Sequence, residues 1–249
     1  MPATIKELIA VNQSTLEYFR QSFKQSEEAK EYVYSRVSRN TATIFKIGYA
    51  PSTGLIGWLA ATDANLVKIA KEIGLIGVSN RGIYQKFHNR IMIPIFHAGV
   101  IIGFGARALD PSEKAKYINS SSSPLYHKRD TLYGLHHNRL RIQHDGVAYL
   151  VEGYFDVLGM AEYGLRSAVA SCGTSFTAGQ AALLKRYAKK VYVLFDGDAA
   201  GQAAAAKAKP VLQREKLYAG RIILPNGFDP DTFLKKYSKT ELRKLKVKY

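Results

Sequence analysis

Residues 147–156 read VAYLVEGYFD and residues 191–201 read VYVLFDGDAAG, so that in each a run of five apolar residues stops at an acid followed by glycine. Two further apolar runs, AVA at 168–170 and RIIL at 221–224, are separated from these by segments that are alanine-rich or helically spaced. Strand and helix in alternation, with strands apolar on both faces, predict an α/β unit: a parallel sheet covered by helices on both sides over residues 146–237. Thr177-x-x-Gln180 supplies a capping box for the helix after the second strand.

In open parallel sheets, ligands bind beyond the carboxyl ends of the strands. Here those ends carry Glu152 and Asp156, Asp196 and Asp198, and Asp229 and Asp231. Acids are common in such loops and at helix N-termini, and Asp198, ahead of an alanine-rich helix, is placed as an N-cap. Three acidic motifs at three strand ends of one sheet favour a cation site instead. Hard divalent ions take oxygen ligands, and the glycine inside Asp196-Gly197-Asp198 lets backbone approach a phosphate.

Upstream, residues 1–145 read as a mixed α+β subdomain. Residues 3–37 are helical by spacing, and Asp63 N-caps a helix that ends near Gly74. RIMIPI and GVIIGFGAR, separated by His97-Ala98-Gly99, read as a hairpin. The polar stretch LRIQHDG at 140–146 marks the boundary. Residues 238–249 read as a basic C-terminal helix or tail, since Lys235–Tyr249 holds seven basic residues against Glu241.

The chain has 249 residues with 36 Lys+Arg against 20 Asp+Glu, a net charge of +16 that favours a polyanion such as nucleic acid over a membrane surface. The most apolar window, residues 91–106, is broken by Pro94, His97 and glycines and is too short to span a bilayer. MPATIKELIAVNQ is no secretory signal, so a cytoplasmic location is expected. A single cysteine, Cys172, and scattered histidines exclude a disulfide and a closed zinc site, leaving carboxylates to hold any metal. Cys172 and Trp58 are expected in the core.

Glu152-Gly153-Tyr154-x-Asp156, Asp196-Gly197-Asp198-x-Ala200-Gly201 and Asp229-Pro230-Asp231-x-Phe233-Leu234 resemble the three signatures of the TOPRIM catalytic domain in its bacterial, DnaG-type primase form. FKIGYAP (45–51), ASCGTSFT (170–177), the Arg90–Ile95 run, GFGAR (103–107), Lys116-Tyr117-x-Asn119-Ser120, LYHK (125–128) and LYGL (132–135) are similar to further segments of that family in the same order. The resemblance covers nearly the whole chain.

It implies an RNA polymerase core that makes short RNA primers on single-stranded DNA from ribonucleoside triphosphates, with Mg²⁺ or Mn²⁺ and no zinc. Glu152, Asp196 and Asp198 would be catalytic metal ligands, and Asp156, Asp229 and Asp231 additional ones. Arg107, Lys116, Tyr117, Asn119 and Lys128 would contact nucleotide or template, with Tyr117 and Tyr126 as stacking platforms. A replicative helicase or a separate zinc-binding module are the implied partners. The family's zinc-binding and helicase-binding domains have no counterpart in this sequence, and an excised core and a compact phage or mobile-element primase both fit. A TOPRIM nuclease and a non-catalytic nucleic-acid-binding module are the alternatives; the KYxNS-type segment argues against the first, and the full set of acids against the second.

Overall fold

The computed structural model describes residues 2–249, which divide into two compact units, one ending at His127 and one running from Lys128 to Tyr249. No helix of the described residues is long and apolar enough to cross a membrane.

The first unit opens with α1 (Ile5–Gln25), held by a complete Thr4/Glu7 capping box, and α2 (Glu27–Tyr34), N-capped by Ser26. These fill the predicted 3–37 helical span. α3 (Arg39–Ile44), β1 (Gly48–Ala50), α4 (Leu55–Thr62) and α5 (Ala64–Glu72) follow, and Asp63 caps α5 through the Asn65 amide at 2.9 Å. β2 (Ile76–Ser79) and β3 (Gly82–Gln85) form a separate hairpin. β4 (Arg90–His97), β5 (Val100–Ala108) and β6 (Tyr117–Asn119) join β1 in an antiparallel sheet ordered β1-β4-β5-β6, confirming the hairpin turn at Ala98-Gly99.

The continuous apolar run of β4 is explained by burial of every residue from Arg90 to Phe96. Phe19 of α1, Phe87 and Phe104 meet edge to face in the core beneath this sheet. α1 comes so close that a Cβ on Gly48 would lie 2.8 Å from Phe19 Cβ. Trp58 sits within α4, half-buried, its indole donating to the Ser14 carbonyl at 3.1 Å.

The second unit begins with a 3₁₀ turn at Lys128–Asp130, then β7 (Leu132–Tyr133) and α6 (Leu135–Asp145). β8 (Val147–Val151), α7 (Tyr154–Glu162), β9 (Ala168–Ser171), α8 (Ala178–Lys185), β10 (Lys190–Val193), α9 (Ala199–Arg214) and β11 (Tyr218–Ile222) give the predicted alternation. α10 (Pro230–Lys236), α11 (Lys239–Lys244) and β12 (Val247–Lys248) complete it. The sheet order is β12-β11-β10-β8-β9-β7, with four parallel strands in the middle and an antiparallel strand at each edge.

Three differences from the sequence reading have physical causes. The expected division at 145/146 lies at 127/128 in the structure, because β7 pairs with β9 and α6 buries Leu135 and Ile142 in the core of the parallel sheet. The last parallel strand is Tyr218–Ile222 rather than RIIL, because register with β10 pairs Lys190 with Tyr218 and Val193 with Arg221. The tail is no free helix: after α11, Val247 and Lys248 pair with Ile222 and Arg221.

α8 and α9 bury alanines and leucines against Ala148, Leu150, Val169, Val191 and Val193. Because strand side chains alternate, Tyr149, Tyr192 and Lys190 belong to the opposite face. α7 is buried from Tyr154 to Ala161, with α10 packed on it. Cys172 is fully buried.

Candidate active site

Each acidic motif of the second unit occupies the joint between a strand end and a helix start. Glu152 follows β8, and its Oε1 accepts from the Asp196 amide at 2.9 Å, which ties the end of β8 to the end of β10. Asp198 is the N-cap of α9, accepting from the Gly201 amide at 2.7 Å. Asp229 N-caps α10 through the Thr232 amide at 2.7 Å, and Asp156, three residues into α7, accepts from the Gly153 amide at 2.8 Å. The N-cap reading of Asp198 is therefore correct as geometry. It does not exclude a cation, since a carboxylate has further lone pairs to offer.

Close approach is built in at two glycines. A Cβ on Gly201 would lie 2.7 Å from Glu152 Oε1 and 2.5 Å from the Asp196 carbonyl oxygen, so the glycine that ends DGDAAG makes room for the Glu152 carboxylate. A Cβ on Gly159 would lie 2.3 Å from Asp231 Oδ1, so α10 presses that carboxylate against the backbone of α7.

Negative charge accumulates here. Burial raises the Glu152 pKa, opposed by the Asp196 amide and reinforced by the Asp198 charge. Asp156 is pushed well up, first by burial and then by Asp229, Asp196 and Asp231, with the Gly153 amide opposing. Asp231 is itself buried.

Among the described residues, no three His, Cys, Asp or Glu side chains form a ready-made cage for a metal ion. An ion of the Mg²⁺ type ordinarily takes one or two carboxylates together with phosphate oxygens and water. An oxygen-only set of mutually repelling, partly buried carboxylates fits a divalent ion held in that open manner.

Beside Glu152 a cleft of about 450 Å³ runs over the carboxyl ends of β9 and β10, lined by Thr174, Ser175, Phe195, Ala200 and Lys207 among others. Lys207 was not anticipated. Its signal was present in α9, where Ala200, Ala203, Ala204, Lys207 and Ala208 recur at i, i+3, i+4, i+7 and i+8 and so share one face. Gln202 was also missed; its amide nitrogen donates to the Asp196 carbonyl at 2.9 Å.

The expected basic contacts fall in both units. In the first, the Arg107 guanidinium lies 5.3 Å from the ring centroid of Tyr32 and 5.2 Å from that of Tyr117, and donates to the Tyr117 hydroxyl at 2.7 Å. Lys116 is exposed, whereas Asn119 is buried on β6 opposite Gly105, leaving little side chain for a nucleic acid to touch. Tyr126, expected as a stacking platform, is fully buried and presents no ring to solvent. Lys128 belongs to the second unit, where its carbonyl accepts from Gln180 at 2.9 Å.

Residues 18–139 match the family described as the DNA primase catalytic core, N-terminal domain, and residues 149–234 match the Toprim-like family. The DNA primase of Aquifex aeolicus is 40% identical over 233 residues, covering 92% of this chain, while the chain spans only 46% of that relative. A crystal structure of the Aquifex aeolicus primase zinc-binding and RNA polymerase domains superposes with a TM-score of 0.91 at 35% identity, over 97% of this chain and 62% of that one. A structure of the DnaG primase catalytic domain bound to single-stranded DNA superposes with a TM-score of 0.86 at 31% identity, over 96% of this chain and 81% of that one. Toprim domains and primases generally bind divalent metal ions. With both halves matched in order and a primase catalytic domain spanned over 81% of its length, the chain belongs to the bacterial DnaG-type primase family.

Proposed function

We propose that this chain is a DNA-directed RNA polymerase core that synthesises RNA primers on single-stranded DNA. The observation that carries it is the coupling of Glu152 to Asp196 across adjacent parallel strands, in a chain that also holds the basic primase-type unit. The family likeness extends through that unit, where the TOPRIM nuclease alternative has no support.

In the proposed reaction a ribonucleotide 3′-hydroxyl attacks the α-phosphate of an incoming triphosphate and expels pyrophosphate. Mg²⁺ or Mn²⁺ held by Glu152, Asp196 and Asp198 would offset charge on the attacking and leaving oxygens. Asp229 and Asp231, whose charges bear on Asp156, add negative potential that favours a cation over an empty site. Glu152, whose proton affinity is raised by burial and by Asp198, is the group we assign to accept the hydroxyl proton. Lys207 offers a positive charge on the cleft wall for a phosphate. Arg107, held between two tyrosine rings, and the exposed Lys116 are assigned to nucleotide or template, together with Tyr117 and Lys128; Asn119 is assigned to holding β6 in place. A helicase and a separate zinc-binding module are the proposed protein partners.

The test is incubation with labelled ribonucleotides, single-stranded DNA and Mg²⁺ or Mn²⁺, resolved on a gel. Template-dependent RNA products that disappear in Asp196→Asn are expected. Template degradation without ribonucleotide incorporation would establish a nuclease instead.

A further inference from the structure

Away from the carboxylates, the sheet face opposite α8 and α9 carries a row of aromatic rings and cations. Tyr149 and Tyr192 are register partners on β8 and β10, with ring centroids 5.8 Å apart and planes inclined by 31°. Lys190, two residues before Tyr192, lies 5.6 Å from that ring and 4.9 Å from the ring of Tyr218, its register partner on β11. Tyr218 in turn stands 5.2 Å from Tyr249. Four tyrosines bridged by one lysine thus cross three adjacent strands and reach the chain's last residue.

One end of this row opens into a cleft of about 210 Å³ lined by Tyr149, Tyr192, Arg141, Arg166 and Arg243. The only acid on its wall, Asp145, is held by Arg141 at 2.7 Å and His144 at 2.9 Å. Arg166, Lys190 and Arg243 pair with no carboxylate among the described residues. Tyr218 and Tyr249 are 51% and 61% exposed.

Cations spaced along a surface with exposed rings between them match the chemistry of unpaired nucleic acid, in which phosphates meet the cations and base faces stack on the rings. Duplex would hide its base faces, and an apolar protein partner would leave the cations unmatched. We propose that this face is a second binding surface for single-stranded nucleic acid, at the amino-terminal half of the strands whose carboxyl ends carry the acids. A strand held there would be retained by the protein independently of chemistry at Glu152 and Asp196. The proposal stands apart from the polymerase reading, because binding at this face needs neither nucleotide nor metal.

The test is fluorescence anisotropy of a labelled single-stranded oligonucleotide over a range of salt, in chelator, with the full chain and with the Asp196→Asn chain. Arg166→Glu/Arg243→Glu is expected to weaken binding at least about tenfold and to reduce the slope of log affinity against log salt by about 1.4, or about 0.7 for each lost phosphate. Tyr218→Ala should weaken binding about fivefold or more while Tyr218→Phe retains it, which separates stacking from fold. Lys6→Glu/Lys24→Glu, at two exposed positions of α1, makes the same change in net charge. An equal loss in that control, or unchanged affinity in the arginine pair, would overturn the proposal. So would unchanged DNA binding accompanied by altered self-association, which would assign the face to a second copy of the chain.

Discussion

The Asp196 amide donates to Glu152 Oε1 at 2.9 Å, so the first acid of one strand end is positioned by the backbone of the next. Glu152→Gln keeps an oxygen for that bond but has no charge to offer a cation. It is expected to melt within about 1 kcal/mol of the parent, the usual net worth of one hydrogen bond, and to lose primer synthesis altogether. Thermal melting and the gel assay check the two halves separately.

Asp198 tests the dual role of a capping carboxylate. Asparagine is as good an N-cap as aspartate, whereas alanine costs about 1 kcal/mol. Asp198→Asn should therefore retain stability and lose synthesis, and Asp198→Ala should lose both. Full synthesis by Asp198→Asn would reduce this residue to a cap.

Gly201→Ala places a methyl group against the Asp196 carbonyl, which is backbone and cannot swing aside, and against Glu152 Oε1, whose hydrogen bond to the Asp196 amide holds it in place. Alanine in a helix ordinarily gains nearly 1 kcal/mol over glycine. Here a loss of about 1–3 kcal/mol is expected, with synthesis falling further than stability because Glu152 must move. Gly159→Ala should be destabilising for the same reason against Asp231, and part of the loss should return in Gly159→Ala/Asp231→Ala. Denaturant titration of the four chains measures this coupling.

Asp156 sets a pH dependence. Its folded pKa stands well above 3.8, so the folded chain holds a proton that the unfolded chain releases, and stability falls as pH rises through the window above 3.8. In chelator, Asp156→Asn should melt higher than the parent at pH 7, by about 2–4 °C for each kcal/mol recovered. The advantage should shrink as pH is lowered towards 3.8. A constant difference across that range would show that the carboxyl is not protonated by its surroundings.

The parallel sheet was legible because VAYLV and VYVLF are short uninterrupted apolar runs, although on one face Tyr149 and Tyr192 are only half-buried and not covered as a sheet wrapped on both sides would be. The acids were legible because such a run ends where the chain leaves the sheet. Less visible were features set by partners distant in sequence. Leu132–Tyr133 is too short to show a pattern and becomes a strand only by pairing with β9. Lys207 reads as one more surface lysine until α9 turns that face towards Glu152. Asn119 and Tyr126 lie in motifs that suggested contact with nucleic acid, and only the packing of β6 and its following loop shows them turned inward.

The two antiparallel strands that flank the parallel sheet, Leu132–Tyr133 and Val247–Lys248, are two residues each. A sheet margin offers unsatisfied amides and carbonyls to any passing strand, and the hazard grows with the length of straight ladder on display. On the Leu132–Tyr133 side the margin is a stub that gives a neighbouring molecule almost nothing to zip onto. That margin is thereby closed to growth into ribbons of like chains.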